Sequence, residues 1–421
     1  MKIGIISQWY PPEPASAVPS SLAGELAARG HEVRVLTGFP NYPDGRIYPE
    51  YRQRWKDQST TDGVTTRRVP LYPSHDNSAV RRAANYLSFA ATSSLAAVRY
   101  LAGVDALYVY LTPATAFAAP ALLRLLYRIP TVIHVQDIWP ESVTQSSLAP
   151  QGASGALMHR TLSTTMRWMY RWAAGIAVIA PTMRDLVVER GADPEKVRVV
   201  LNWTDESLFR PVERTESARR EIGYRGRCTV MHAGNIGSFE NIDDAIRAAA
   251  AVEQSGQVDL VMVGTGFAER SAQELTRQLG ANNVRFLGRR PPSEMAALYS
   301  AADYQLVSRL DLPIFQSTIP SKLAAALSCG APVVVSVPGD CARIVERGGA
   351  GLSCPPEDWR ALADRFTRAA AFSSDDRARM AQRARETYES QMSMRIGVDE
   401  LENMLRTAAA NGRRPRRDSD D

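Results

Sequence analysis

The chain has 421 residues, more than one hydrophobic core usually supports, and its 45% apolar content is enough for two cores of similar size. Its formal charge of +5 reflects 46 arginines and only four lysines, dispersed along the sequence with no basic block and no nucleic-acid motif. That excess argues for an anionic substrate or membrane surface and against a nucleic-acid partner.

Cys228, Cys329, Cys341 and Cys354 form no CxxC or Cys/His cluster and read as free thiols in a reducing compartment, so no metal site is expected. MKIGIISQWY enters a strand without a charged and then apolar leader. The most apolar stretch, residues 106–133, is broken by three prolines and two arginines, so it is not expected to span a membrane. The expected location is cytoplasmic, with a peripheral contact to the inner face of the membrane.

In chain order, Ile3 to Ser7 reads as a strand, followed by a proline-rich loop, a helix over 20–29 closed by Gly30, and HEVRVLT as a second strand. This opening is Rossmann-like without GxGxxG, so no dinucleotide cofactor is expected. Gly38 to Trp55 is rich in proline and aromatics and lacks period, which makes it a long loop at a strand's carboxyl end. The rings of Phe39, Tyr42 and Tyr48 suit either packing on a sugar face or anchoring the loop.

TTRRVPL, ALYVYL and PTVIHVQD read as further strands, with helices over 79–101 and 114–127 between them. The helix ALLRLLYR is basic and apolar by turns, which suits an anionic bilayer, although such a helix more often covers a sheet. His134 lies near the end of a buried strand, with Asp137 and Trp139 beyond it. It is either a satisfied core histidine or, at a carboxyl-end rim beside an acid, a contact to reacting groups. A helix over 158–172, the strand GIAVIA, a helix over 182–190 and KVRVVLNW complete seven strands and a first doubly wound domain, and residues 204–224 form the linker.

The second half repeats one pattern: CTVMHAGNIG, VDLVMVGTGF and NVRFLGRR each end a strand on glycine, at Gly234 and Gly237, Gly264 and Gly266, and Gly288. Such turns let a phosphate or sugar approach the backbone. Residues 302–355 then form a βαβ unit whose helix opens at Ser321. That helix presents unpaired N–H groups and a positive dipole end at the sheet edge, where a nucleotide diphosphate is favourably held. Lys322 is either a phosphate contact or a solvated helix residue. The rest is helical to about 409, ahead of a charged tail.

Together, Tyr10-Pro11-Pro12-Glu13, Gly30-His31-Glu32-Val33, Gly38-Phe39-Pro40-Asn41-Tyr42-Pro43, residues 134–142, Gly234-Asn235-Ile236-Gly237 and Pro320-Ser321-Lys322-Leu323 resemble retaining nucleotide-sugar glycosyltransferases of family 4. The likeness spans roughly residues 1 to 405 and lies nearest the bacterial envelope-polysaccharide, fucosamine-transferase-like branch. It implies the GT-B fold: two α/β, Rossmann-like, doubly wound parallel-sheet domains facing across a cleft. Residues 1–205 would bind the acceptor, with a final helix over 376–409 packing back onto them, 206–375 would bind the nucleotide sugar, and 410–421 would be a disordered tail.

The resemblance assigns donor contacts to Gly234, Asn235, Gly237, Gly264, Gly266, Gly288, Arg309, Ser321, Lys322 and Leu323. It assigns acceptor contacts to Ser16, Ala17, Phe39, Asn41 and Tyr42, and places His134 near the transferred sugar with Asp137 orienting either His134 or the acceptor. The donor would be UDP- or GDP-linked, with no metal or other cofactor. The acceptor would be a sugar-lipid or a small molecule taken through oxygen or sulfur. Alternatives are a non-catalytic GT-B partner subunit and a nucleotide-sugar epimerase. Three departures stand out. Ser317 and Ala325 occupy positions where two glutamates are usual, Asn235 and Glu240 replace a basic pair, and Ser16 and Ala17 replace a double glycine.

Overall fold

Short apolar strands, most of them buried over most of their length, alternate with helices, which is the sequence behaviour of parallel sheets covered on both faces. The computed structural model describes residues 1–75, 78–139, 141 and 152–413, and it divides into two units. The first comprises Met1–Val200 with Gly397–Asp421, and the second Leu201–Ile396.

In the first unit β1 (Lys2–Ser7), β2 (Glu32–Gly38), β3 (Asp57–Thr61), β4 (Val64–Val69), β5 (Ala106–Leu111), β6 (Thr131–Val135), β7 (Gly175–Val178) and β8 (Val197–Val199) form one sheet. Its order is β3-β4-β2-β1-β5-β6-β7-β8. All pairs are parallel except β3 with β4, which is an antiparallel edge. β3 is absent from the sequence reading because DQSTT is polar and almost wholly exposed, so no apolar alternation marks it.

The second unit holds β9 (Cys228–Ala233), β10 (Val258–Val263), β11 (Val284–Gly288), β12 (Tyr304–Ser308), β13 (Val333–Ser336) and β14 (Gly351–Ser353), ordered β11-β10-β9-β12-β13-β14 and all parallel. Its core joins Val230, Leu260, Met262 and Leu306 of the strands to Ile246, Leu362 and Phe366 of the covering helices. The three-residue β14 also escapes sequence reading, being too short to show a pattern. Apart from the β3 edge, the two sheets share one winding, so each reverses its strand order beside its first strand: at β1/β5 and at β9/β12. Ligands of open α/β sheets bind outside the carboxyl ends of the strands at such points.

The final helical stretch, expected as one element over 376–409, is two helices, Ser374–Gln391 and Met394–Arg413. Residues 410–413 are therefore helical, and the rest of the expected tail lies outside the described residues. Glu402 fastens the second of these helices within the first unit. It accepts from Arg29 Nη1 at 2.7 Å and Arg406 Nε at 3.0 Å and lies 2.9 Å from His31 Nε2. Among the described residues no helix is long and apolar enough to cross a membrane.

Candidate functional site

The carboxyl edge of the second sheet gathers most of the expected donor residues. After β9 the chain turns at Gly234, whose φ of +134° disfavours a side chain, and a Cβ there would come within 2.6 Å of Lys322 Cε. The glycine therefore makes room for the lysine stem, which explains why the first glycine turn and the helix Ser321–Ser328 belong together. After β10, Gly264 has φ +133°, and a Cβ would overlap the Gly234 carbonyl. A Cβ at Gly266 would meet the Ile236 carbonyl, and one at Gly237 the Asn235 amide. Amide donors tie these turns together: Gly234 to Val263 O at 2.8 Å, Ile236 to Thr265 O at 3.0 Å, Gly264 to Gly288 O at 2.8 Å. Gly234 and Asn235 are exposed.

Arg309 follows β12, donating its backbone N–H to Ser336 O at 3.0 Å, and its guanidinium lies 4.5 Å over the Phe315 ring. Ser321 opens the helix Ser321–Ser328, preceded by Pro320, and no side chain caps that N-terminus. Leu323 is fully buried and packs inward rather than lining the edge, which departs from its assignment as a donor contact. The helix that follows the first glycine turn, Ile242–Val252, instead carries Asp243 and Asp244 in its own first turn. Its positive end is thus already met by carboxylates, whereas the helix Ser321–Ser328 has no acidic residue in its first turn.

Glu240 is the residue that sequence reasoning passed over as a mere departure. Its buried carboxylate pairs with Lys322 Nζ through Oε2 and lies 3.8 Å from Arg309 Nη2 through Oε1. Lys322 is consequently a paired, largely buried ammonium rather than a solvated one. Burial pulls it below the ordinary lysine range, against the opposing pull of Glu240. Two nearby groups keep an open valence: Arg309 Nε and His232 Nδ1 are buried without a hydrogen-bond partner among the described residues. His232, on β9, is held neutral by burial, its pKa pushed down to about 3. Ser317 and Ala325 are both buried, so carboxylates there would need partners.

The first unit organises its carboxyl edge differently. Glu13, fully inside, accepts backbone N–H groups of Asn41 at 2.8 Å and Tyr42 at 2.9 Å through one oxygen and of Tyr10 at 3.2 Å through the other. Burial raises its pKa despite these bonds. A buried amide relay continues from there: Asn85 Nδ2 donates to Asn41 Oδ1 at 3.4 Å, and Gln8 Nε2 to Asn85 Oδ1 at 2.6 Å. Phe39 is wholly buried and meets Tyr51 edge-on, so of the two readings open for it the loop anchor is the one observed. Tyr42 lies between Trp9, 5.1 Å away, and His75, 4.7 Å away. Ser16 is buried on the Glu13 carbonyl, and Ala17 begins the helix Ala17–Ala28.

His134 departs from the role expected of it. It is wholly buried on β6, with Nδ1 2.8 Å from the Tyr108 hydroxyl and Nε2 3.2 Å from Val200 O. The carbonyl can only accept, so Nε2 carries the proton and Nδ1 accepts from the tyrosine. Burial pushes its pKa down to about 4. Both nitrogens are used, so His134 is a satisfied core histidine and Asp137 does not orient it. Asp137, half-buried at the end of β6, has its carboxyl pushed up to about 6 by burial.

Comparisons with known proteins agree with this architecture. Residues 15–203 match the Glycosyl transferase 4-like domain and residues 214–387 match Glycosyl transferases group 1. The chain is 25% identical over 317 residues to WcaI of Escherichia coli, a glycosyl transferase assigned to colanic acid biosynthesis, covering 74% of this chain and 76% of that one. It is 24% identical over 405 residues to the N-acetyl-alpha-D-glucosaminyl L-malate synthase of Bacillus anthracis, covering 94% of each. Among solved structures, Anabaena HepE in complex with UDP and glucose superposes with a TM-score of 0.68 at 18% identity, over 96% of this chain and 99% of that one.

Proposed function

Since the chain belongs to the group 1 glycosyl transferases with a glycosyl transferase 4-like first domain, we propose that its second unit binds a nucleotide sugar through the diphosphate at the carboxyl edge beside β9 and β12. The observation that carries this reading is the pairing of two side-chain-free turns, Gly234 and Gly264, with Lys322, Arg309 and an uncapped helix start. Bare backbone admits the diphosphate closely, and the two cations with the helix dipole stabilise the charge that grows as it departs. Glu240 holds both cations in place before the donor arrives.

In this reading the acceptor attacks on the face from which the diphosphate leaves, so configuration is retained without a protein nucleophile or a metal, and the leaving phosphate takes the proton. Asp137 and the aromatic edge around Tyr42 orient the acceptor, and His134 contributes only by holding its sheet. UDP is the first nucleotide to test, because the HepE neighbour was solved with it. A polysaccharide intermediate, a small hydroxy acid and an inositol phosphate are acceptor classes that the relatives' names supply. The helix Ala118–Tyr127, with exposed Leu125 and Leu126 beside Arg124, is a suitable peripheral contact to anionic lipid. Flotation with vesicles of anionic lipid, and its loss in Leu125→Ser with Leu126→Ser, checks that contact.

Calorimetric titration with UDP, GDP and dTDP tests the donor half, and NMR of the anomeric proton in the product tests retention. Saturable binding of one diphosphate that weakens at least about tenfold in Lys322→Gln supports the reading. Binding unaffected by Lys322→Gln and Arg309→Gln, or an inverted product, overturns it.

A further inference from the structure

The opposite, amino-terminal edge of the second sheet carries a cavity of about 690 Å³ that the transferase reading does not use. The starts of β9, β10, β12 and β13 and the first turns of the helix Ser374–Gln391 line it. Its volume falls within the range of about 300–1,000 Å³ typical of small-molecule sites. None of the glycine turns at the other edge, nor Arg309 or Lys322, contributes to its wall.

Charge in this cavity is one-sided. Four arginines line it, Arg214, Arg219, Arg227 and Arg377, against the single carboxylate of Asp303. That carboxylate is spent: Oδ1 accepts from Arg214 Nη1 at 3.0 Å and Oδ2 from the Thr229 N–H at 2.9 Å. Arg227 reaches Asp259 only at 3.5 Å, and Asp259 is already held by Arg285 at 3.0 Å. Arg377 donates to Phe372 O at 2.6 Å and has no carboxylate partner among the described residues. Arg219 lies 4.2 Å from the Tyr224 ring centroid and 3.8 Å from the exposed Glu216, which is not part of the wall.

We infer that this cavity is a second ligand site that takes the phosphate group of a small phosphorylated metabolite. Guanidinium forks match phosphate oxygens in bidentate geometry, and a dianion meets the surplus of cations better than a single carboxylate does. The one carboxylate in the wall, Asp303, is taken up by Arg214, which leaves the guanidinium groups of Arg219, Arg227 and Arg377 as the donors such a group would engage. The Tyr224 and Tyr299 rings in the same wall offer an apolar face to the rest of the molecule. The site is independent of the donor reading, since it shares no residue with it.

Inorganic phosphate and pyrophosphate are titrated calorimetrically into the full chain, with and without excess UDP, in the wild type and in Arg377→Gln, Ala378→Glu and Arg309→Gln. Ala378 lines the cavity but is exposed, so Ala378→Glu adds a repelling carboxylate without disturbing the core. The expected result is a saturable, UDP-insensitive component that weakens at least about tenfold in both Arg377→Gln and Ala378→Glu and by less than about twofold in Arg309→Gln. Absence of any UDP-insensitive saturation up to about 10 mM overturns the inference, as does a component lost in Arg309→Gln but kept in Ala378→Glu.

Discussion

The two sheets wind identically around their first strands yet furnish their carboxyl edges in opposite ways. In the second unit the edge is made of turns without side chains, at Gly234, Gly264 and Gly266, overlain by paired charges. In the first, a long loop of prolines and rings is stitched down by one buried carboxylate, Glu13, and an amide relay. In the proposed reading one edge offers bare backbone to a phosphate, and the other offers shaped side-chain surface to a variable molecule. A common fold thus fixes where a ligand goes, and the loop chemistry decides which kind.

The sharpest way to break that contrast is to put a side chain where only backbone fits. Gly264→Ala adds a methyl group against the Gly234 carbonyl at φ +133°, and we expect a loss above about 4 kcal/mol or failure to accumulate folded protein. Gly288→Ala, at φ +67° with nothing within 4 Å of a Cβ, should cost only about 1 kcal/mol. Denaturant midpoints compare the two, and equal losses would mean that close approach is not what selects glycine here.

Lys322→Ala comes next, because it leaves the buried Glu240 carboxylate with only Arg309 at 3.8 Å, at an expected cost of about 3 kcal/mol. Adding Glu240→Ala should restore most of that stability while leaving UDP binding at least about tenfold weaker. A double variant that regains affinity as well would show that Lys322 serves the fold alone.

Glu13→Ala tests the other edge. Three backbone N–H groups lose their acceptor, which should cost about 3 kcal/mol and open residues 38–55 to protease at the arginines near 52–54. UDP affinity should stay within about twofold, since Glu13 belongs to the first unit. A large change in nucleotide affinity would contradict the division of labour between the two edges.

Most of this organisation is legible in the residues. Short β-branched runs such as VVV and TVIHV announce buried parallel strands, and glycines at three strand ends mark one edge of one sheet. What stays hidden is pairing across distance. DQSTT becomes a strand only because β4 offers it hydrogen bonds, and Glu240 matters only because Lys322, 82 positions later, folds over Gly234 to meet it. His134 shows the same limit: its position suggested chemistry, whereas Tyr108 and Val200, distant in sequence, consume both its nitrogens.

The smallest expected effect compares the two buried histidines, one in each sheet. His134 has its pKa pushed down to about 4 and His232 to about 3, each by burial. The unfolded chain protonates each near pH 6.5, so between there and the lowered values the unfolded state binds more protons and folding weakens as pH falls. Each histidine's contribution is complete above about pH 7, and each should remove about 2 kcal/mol between pH 7 and 5. His134→Gln and His232→Gln should each flatten that slope by one share. Their costs at pH 7 should nevertheless differ, because His134 gives up two hydrogen bonds whereas His232 keeps only the 3.3 Å contact of Nε2 with Asn235 O, its Nδ1 being already unpartnered. Denaturant unfolding from pH 5 to 8 resolves both quantities. If His134→Gln left the slope unchanged, that ring would be protonated in the native sheet and available for the chemistry that its buried bonds otherwise deny it.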